Sequence, residues 1–214
     1  MSDKTTPRAE ARQRRRRRSD GERSRGAILA QATRLATVEG LQGLSIGRLA
    51  DAVEMSKSGL YSHFGSKKEL QLAAIETAEA IFADRVTDPA AGAASAQERL
   101  RRLVDGYLGY IAADTFPGGC FFASALAEVD MQPGPVRDRL VAFLADWVDG
   151  LARAVRDAQA EGSIGGDEDP DQLAFEIEAS LFLANAQYVV MRTSQPLERA
   201  RRAIDRRLDA ISVR

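Results

Sequence analysis

The sequence predicts an all-α fold of about nine helices, divided into a small N-terminal three-helix unit and a larger C-terminal helical unit. Three observations predict it. Apolar residues recur at three- and four-residue spacing through almost every segment. No stretch alternates with a period of two, and β-branched runs are few. Glycine, proline and capping residues interrupt the periodic segments at short intervals. With 214 residues, 44% of them hydrophobic, the chain can bury a substantial core.

Residues 1–23 read as a disordered basic arm. They are polar, and the five consecutive arginines at 14–18 repel one another. Such an arm attracts phosphates without regard to sequence, although a nuclear localisation signal has the same composition. The first helix is expected from Ser24, with Ile28, Ala32, Leu35 and Ala36 on one face and Gly40 closing it. A short helix follows Ser45, turning Ile46, Leu49, Ala50 and Val53 inward. A turn over residues 54–56 leads to a second short helix, residues 57–63. Ser66 and Glu69 form a capping box that opens a longer helix through Leu70, Ala74, Ala78, Ile81 and Phe82.

Residues 86–95 are rich in Ala, Gly and Pro and read as a loop. The next helix carries Leu100, Leu103, Val104, Tyr107, Leu108 and Ile111, until Pro117, Gly118 and Gly119 break it. A short helix from Cys120 to about Val129 and a long one with Val136, Leu140, Phe143, Trp147, Leu151 and Val155 come next, the latter closed by Gly162. Two helices, roughly 171–193 and 197–212, end the chain. The first has two apolar stripes: Leu173, Ile177, Leu181, Ala184 and Tyr188 on one, Phe175, Phe182 and Val189 on the other. A helix apolar on two sides is buried on two sides. A second copy of the chain is the natural second side. The expected interface is Leu173, Ile177, Leu181, Ala184 and Tyr188 with Leu197, Ile204 and Leu208.

The formal net charge of −1 hides an asymmetry. The first 68 residues carry 15 Lys+Arg against 7 Asp+Glu, and the remaining 146 carry 15 against 24. A basic first third suits a polyanionic partner; a charged tail without a partner has the same composition.

The segment 43–70 carries the function. It reads as helix, tight turn, helix, and each helix is too short to stand alone. Their apolar residues must pack on the first and fourth helices, which leaves the outer face of the second short helix free for a major groove. That face is small and polar: Lys57, Ser58, Gly59, Tyr61 and Ser62. Short side chains permit close approach, and Lys57 can reach a guanine edge. Tyr61, His63 and Lys67 suit phosphate contact, as do the free N–H groups at the helix start beside Ser66.

Three stretches, Ile46 with the following GRLA, Ser56 with KSGLYSHF, and Gly65 with SKKEL, resemble the DNA-binding domain of the TetR (tetracycline-repressor-like) family of transcriptional regulators. The resemblance covers about residues 24–70, within an N-terminal domain of residues 24–70 and a C-terminal domain of residues 71–214. It implies DNA contacts from Ser45, Lys57, Ser58, Gly59, Tyr61, His63 and Lys67. It also implies a homodimer built on the last two helices, binding a pseudo-palindromic operator, and a C-terminal domain that takes a small ligand. One position departs from the pattern: Glu54 stands where the turn often has glycine, and a positive φ there costs about a kcal/mol or more. A weaker similarity to one subgroup lies in Phe116, Pro117, Gly118, Gly119, Cys120, Phe121 and Phe122, then Glu128, then residues 134–138.

Other chemistry finds little support. Cys120 is the only cysteine and His63 the only histidine, so disulfides, Cys clusters, His-based metal sites and a Ser-His-Asp triad lack partners. No phosphate-binding glycine loop is present, and neither an enzyme nor a cofactor is expected. Cys120 at a helix start suits a redox switch, while a buried small apolar residue is the base expectation. No apolar h-region opens the chain, and no run approaches ~18 apolar residues. A soluble, cytoplasmic protein is therefore expected, with no membrane partner. Tyr107, Phe116, Phe121, Phe122, Phe143, Trp147, Phe175 and Phe182 either line a cavity for a small apolar ligand or fill a plain core. Asn185, Gln187 and Glu128 are candidates to orient such a ligand. Two functions follow: a repressor released from its operator by a ligand, or an ungated DNA-binding architectural or interaction protein with a packed core.

Overall fold

The computed structural model describes residues 7–128 and 133–213, with the backbone alone for residues 7–20 and 22. Among the described residues it is all-helical, in nine rods. They are α1 (Pro7–Glu39), α2 (Ile46–Ala52), α3 (Lys57–Phe64), α4 (Lys67–Phe82), α5 (Ala96–Ala112), α6 (Phe121–Ala127), α7 (Pro135–Ala160), α8 (Pro170–Met191) and α9 (Gln195–Ile211). None is long and apolar enough to cross a membrane.

Serine caps start the short helices. The Oγ of Ser45, Ser56 and Ser66 accepts from the backbone N–H of Arg48, Gly59 and Glu69 at 3.1–3.2 Å. Each bond satisfies a donor that the helix itself leaves free. With 7 and 8 residues, α2 and α3 depend on packing. They bury Leu49, Ala50, Leu60 and Phe64 against Ile28, Ala32 and Ala36 of α1 and Leu70 and Ala74 of α4. Burying Leu60 or Phe64 contributes about 1.5–3 kcal/mol each.

Two stretches differ from the sequence expectation. The arm expected to be disordered is helical from Pro7 onward, continuous with α1; residues 1–6 lie outside the described residues. Alanine, glutamate, glutamine and arginine are all good helix formers, and the packed turns after Ile28 supply the nucleus that an isolated segment lacks. The rod that begins as α4 also runs on beyond Phe82, through a wide turn at Ala83–Thr87 and a last turn at Asp88–Ala91. The loop shrinks to residues 92–95. Pro89 has no N–H to donate, and a widened turn accommodates its ring without ending the rod. Gly106 of α5 admits this turn: a Cβ there would lie 3.2 Å from the Cα and O of Val86.

The C-terminal domain packs α5 to α9 around the far end of α4. Leu100, Val104, Leu108, Leu151, Val155, Leu173, Ile177 and Leu181 form its centre. Salt bridges fasten the edges: Arg101 of α5 reaches Asp205 and Asp209 of α9, at 3.3 and 2.6 Å.

The loop between α5 and α6 joins the two domains. The N–H of Gly118 donates to Thr37 Oγ1 of α1 at 3.2 Å. A Cβ at Gly118 would stand 1.9 Å from the Thr37 carbonyl oxygen, and one at Gly119 would stand 2.3 Å from Asn185 Oδ1 of α8. Two adjacent glycines thus seat one loop on both α1 and α8.

Candidate DNA-binding face and core cavity

The turn between α2 and α3 holds Glu54 at φ +53, the left-handed conformation the sequence departure raised. The Met55 N–H donates to the Ala50 carbonyl at 3.0 Å and closes the turn around it. The glycine-like backbone is thus kept with a non-glycine residue, at a strain of about 1–2 kcal/mol.

Lys57, Ser58, Tyr61 and Ser62 project from the exposed face of α3, with Tyr61 57% exposed. Gly59 is half-buried; a Cβ there would come within 3.0 Å of the capping Ser56 Oγ, so its smallness serves the cap as well as the surface. Gly47 of α2 leaves room for the Lys57 stem, whose Cε lies 3.4 Å from an ideal Cβ there. His63 is half-buried against Phe64, and its carbonyl accepts from Arg25 Nη1 at 3.2 Å. Arg25 also lies 4.6 Å over the Phe64 ring and clamps α1 to the end of α3, a role with no periodic signal in the sequence. Ser45 caps α2. Lys67 stands at the start of α4, where Nζ donates to the Gln42 carbonyl at 2.5 Å. The Arg48–Glu39 ion pair ties α2 to α1. The seven candidate positions therefore fall on α3 and on the first turns beside it.

Behind this domain the aromatic residues gather around Phe82, the last residue of α4. Its ring meets Tyr107, Tyr110, Phe122, Phe143 and Trp147 edge-on at 5.1–6.2 Å. A cavity of about 260 Å³ opens between Phe82 and α5 to α8. Tyr107, Phe122, Phe143, Trp147, Phe175 and Phe182 all line it. Phe116 and Phe121 do not. They are buried in the packing beneath, against Tyr110 and Phe122. The Pro-Gly-Gly bend turns this part of the chain toward α1 and α8.

Glu178 is the polar feature of the cavity, and the sequence reading passed over it. Its Oε2 accepts from Trp147 Nε1 at 2.6 Å. Burial raises its pKa to about 7, against the opposing hydrogen bond from Trp147. A signal was present: Phe175, Glu178, Ala179 and Phe182 share one face at i, i+3, i+4 and i+7, so a carboxylate interrupts an aromatic stripe. The polar candidates lie elsewhere. Asn185 Oδ1 accepts from the Cys120 N–H at 2.8 Å, Glu128 accepts from the Gln42 N–H at the domain junction, and Gln187 does not line this cavity. Cys120 is fully buried, and burial pushes its thiol up, away from the reactive thiolate.

The expected dimer contacts are corrected by burial. Leu173, Ile177, Leu181, Ala184, Leu197, Ile204 and Leu208 are all buried within the single chain, at 0–6% exposure. They join α8 and α9 to the core and to each other, and have no surface for a partner. Tyr188 is half-buried, and its hydroxyl donates to Asp114 at 3.1 Å. Of the other stripe, Phe175 and Phe182 are exposed and Val189 is half-buried; beside it Leu183 and Val190 are exposed too, Val190 by 82%.

Two family models match the chain. Residues 28–74 match that of bacterial regulatory proteins of the tetR family, and residues 96–204 match that of the tetracyclin repressor-like C-terminal domain. The transcriptional regulator AcuR of Cereibacter sphaeroides is 30% identical over 140 residues; the match takes in 64% of this chain and 64%, under two thirds, of AcuR. A TetR transcriptional regulator from Chloroflexus aurantiacus superposes with a TM-score of 0.83 at 27% identity, over 91% of this chain and 98% of that one. AibR, solved in complex with isovaleryl coenzyme A and operator DNA, superposes with a TM-score of 0.63 at 27% identity, over 75% of this chain and 85% of that one. With both domains matched, and the C-terminal model alone spanning about half the sequence, the chain belongs to the TetR family of DNA-binding transcriptional regulators.

Proposed function

We propose that this regulator is a homodimeric repressor that a small, largely apolar ligand releases from its operator. The observation that carries the proposal is the course of α4. It starts at Lys67, beside the recognition helix, and reaches Phe82, in the cavity wall, just before its wide turn. Its 16 residues make a rod of about 24 Å that touches both sites. A ligand that displaces the Phe82 ring moves the inner end of that rod and tilts its outer end.

Two further contacts support the coupling. The cavity-lining helix α6 ends at Glu128, which reaches Gln42 between α1 and α2. Gly118 seats the preceding loop on Thr37. An ungated architectural protein would have a filled core here, and the 260 Å³ cavity speaks against it. AibR, a related fold, binds both an organic ligand and operator DNA.

In this reading Lys57, Ser58, Gly59 and Tyr61 meet the major groove, and Ser45, His63 and Lys67 meet phosphates. The exposed Leu183 and Val190 of α8 bury against a second copy, and the two-fold axis sets two α3 helices on one face of a pseudo-palindromic operator, with half-sites ~34 Å apart in the simplest case. A mobility shift on DNA upstream of the coding region, with and without a small-molecule library, tests it. A coupling of about 1–3 kcal/mol changes operator affinity roughly 5- to 150-fold, and operator must weaken the ligand by the same factor. A ligand that binds equally well with and without operator refutes the gating.

A further inference from the structure

Beyond its shape, the cavity has one acidic group, which is ionised above about pH 7. Among the described residues lining it, Glu178 is the sole formally charged one; the rest are aromatic or aliphatic apart from Cys120 and Tyr107. Among the described residues no lysine, arginine or histidine lines it. The first two backbone donors at the nearby start of α6 are engaged. The Cys120 N–H donates to Asn185 and that of Phe121 to the Tyr110 hydroxyl at 3.5 Å. A carboxylate or phosphate entering the cavity would lose its hydration and meet no compensating charge. Glu178 is placed differently. Trp147 holds one of its oxygens, and the other has no protein partner among the described residues.

Resting on the reading that this cavity is the ligand site, we infer that it selects a small apolar organic cation, such as an aryl-alkyl ammonium, with its head at the Glu178 carboxylate and its apolar part among Phe82, Trp147, Phe175 and Phe182. Two independent terms favour the cation. The carboxylate supplies the opposite charge in a low-dielectric site, and the aromatic ring faces carry the negative end of their quadrupole. A volume of about 260 Å³ lies at the small end for ligand pockets, which limits the apolar part to about one ring. The mouth lies along Phe175 and Phe182, on the exposed stripe of α8.

Trp147 is the only tryptophan in the chain, so intrinsic fluorescence reports on this cavity directly. At pH 8, where Glu178 is ionised and the amine still protonated, the full-length protein is titrated with three probes that share a ring and a chain length and differ in charge: 2-phenylethylammonium, 2-phenylethanol and 3-phenylpropanoate. The ammonium is expected to bind at least about tenfold tighter than the alcohol, and the carboxylate most weakly. Glu178→Gln keeps the shape and an acceptor for Trp147; it should weaken the ammonium about tenfold and leave the alcohol within about threefold. Equal binding of the three probes, tightest binding of the carboxylate, or an unchanged ammonium affinity in the variant overturns the inference while leaving the cavity as ligand site. No titration by any probe overturns both. An ammonium that binds with the expected preference but leaves the operator complex intact in a mobility shift upholds the inference and refutes the gating.

Discussion

A single methyl group at Gly118 tests how the two domains are joined. Its Cβ would lie 1.9 Å from the carbonyl oxygen and 2.6 Å from the carbonyl carbon of Thr37. Both are backbone atoms of α1 and cannot rotate away. Ordinary contact begins near 3.4 Å, so the loop must retreat by about 1.5 Å. It then loses the 3.2 Å bond from the Gly118 N–H to Thr37 Oγ1. Overpacking of this kind costs about 1–3 kcal/mol and the hydrogen bond about 1 more. For a chain of this length the sum lowers Tm by about 4–16 °C. Gly109→Ala is the matched control. Gly109 is exposed within α5, with nothing within 4 Å of its Cβ position, so alanine there stabilises the helix by about 0.5–1 kcal/mol. Thermal melts at equal protomer concentration compare the two, because an oligomer's Tm depends on concentration. A Gly118→Ala protein that melts with the parent or above it refutes the docking of this loop on α1. Since the same contact is one of those proposed to carry the ligand signal, the variant should also bind operator more weakly without any ligand.

Three further outcomes are expected. Lys57→Ala should change which operator sequences are preferred, whereas Lys67→Gln should weaken all sequences alike and reduce the salt slope by ~1, both read by fluorescence anisotropy at several salt concentrations. Leu183→Glu, on the exposed face of α8, should shift the protein to monomers in sedimentation with the protomer still folded; a dimer that persists would place the interface elsewhere. Glu178 makes stability fall with pH: its carboxyl is raised from 4.5 to about 7 in the folded chain, so the native state holds the extra proton between those values and loses this advantage as pH rises toward 7. The facing Tyr107 and Cys120 are both pushed up by burial and stay neutral across that window. The Tm of Glu178→Gln should therefore gain on that of the parent from about pH 5 to about 7 and then hold level, and a constant difference would remove the buried charge from the account.

Much of the DNA-binding half was legible because its signals are local. Ser45, Ser56 and Ser66 announce helix starts through bonds that span three residues, and Glu54 announces its own unusual backbone by standing at a tight turn. The aromatic positions of α5 to α8 were legible as inward-facing, but not which of them surround empty space. Phe116 and Phe121 have the same spacing and chemistry as Phe122 and Phe143. The bend at Pro117, Gly118 and Gly119 turns them away from the cavity, and that bend is set by contacts with Thr37 and Asn185, far away in sequence.

By itself, then, the sequence determined most of the helices, their caps, the exposed polar face of α3 and the division into a basic and an acidic part. Each depends on spacing, propensity or charge within a few turns of one helix. The tertiary structure decided which stripe of α8 faces inward. Both stripes are apolar, and periodicity cannot rank them; the docking of α5, α7 and α9 buries Leu173, Ile177 and Leu181 and leaves Phe182, Leu183 and Val190 outside. The same docking lowers Glu178 into an aromatic cavity against Trp147, a pairing between residues 31 apart in the chain. A side chain's burial and its proton affinity depend on what surrounds it in space, and no local pattern encodes that.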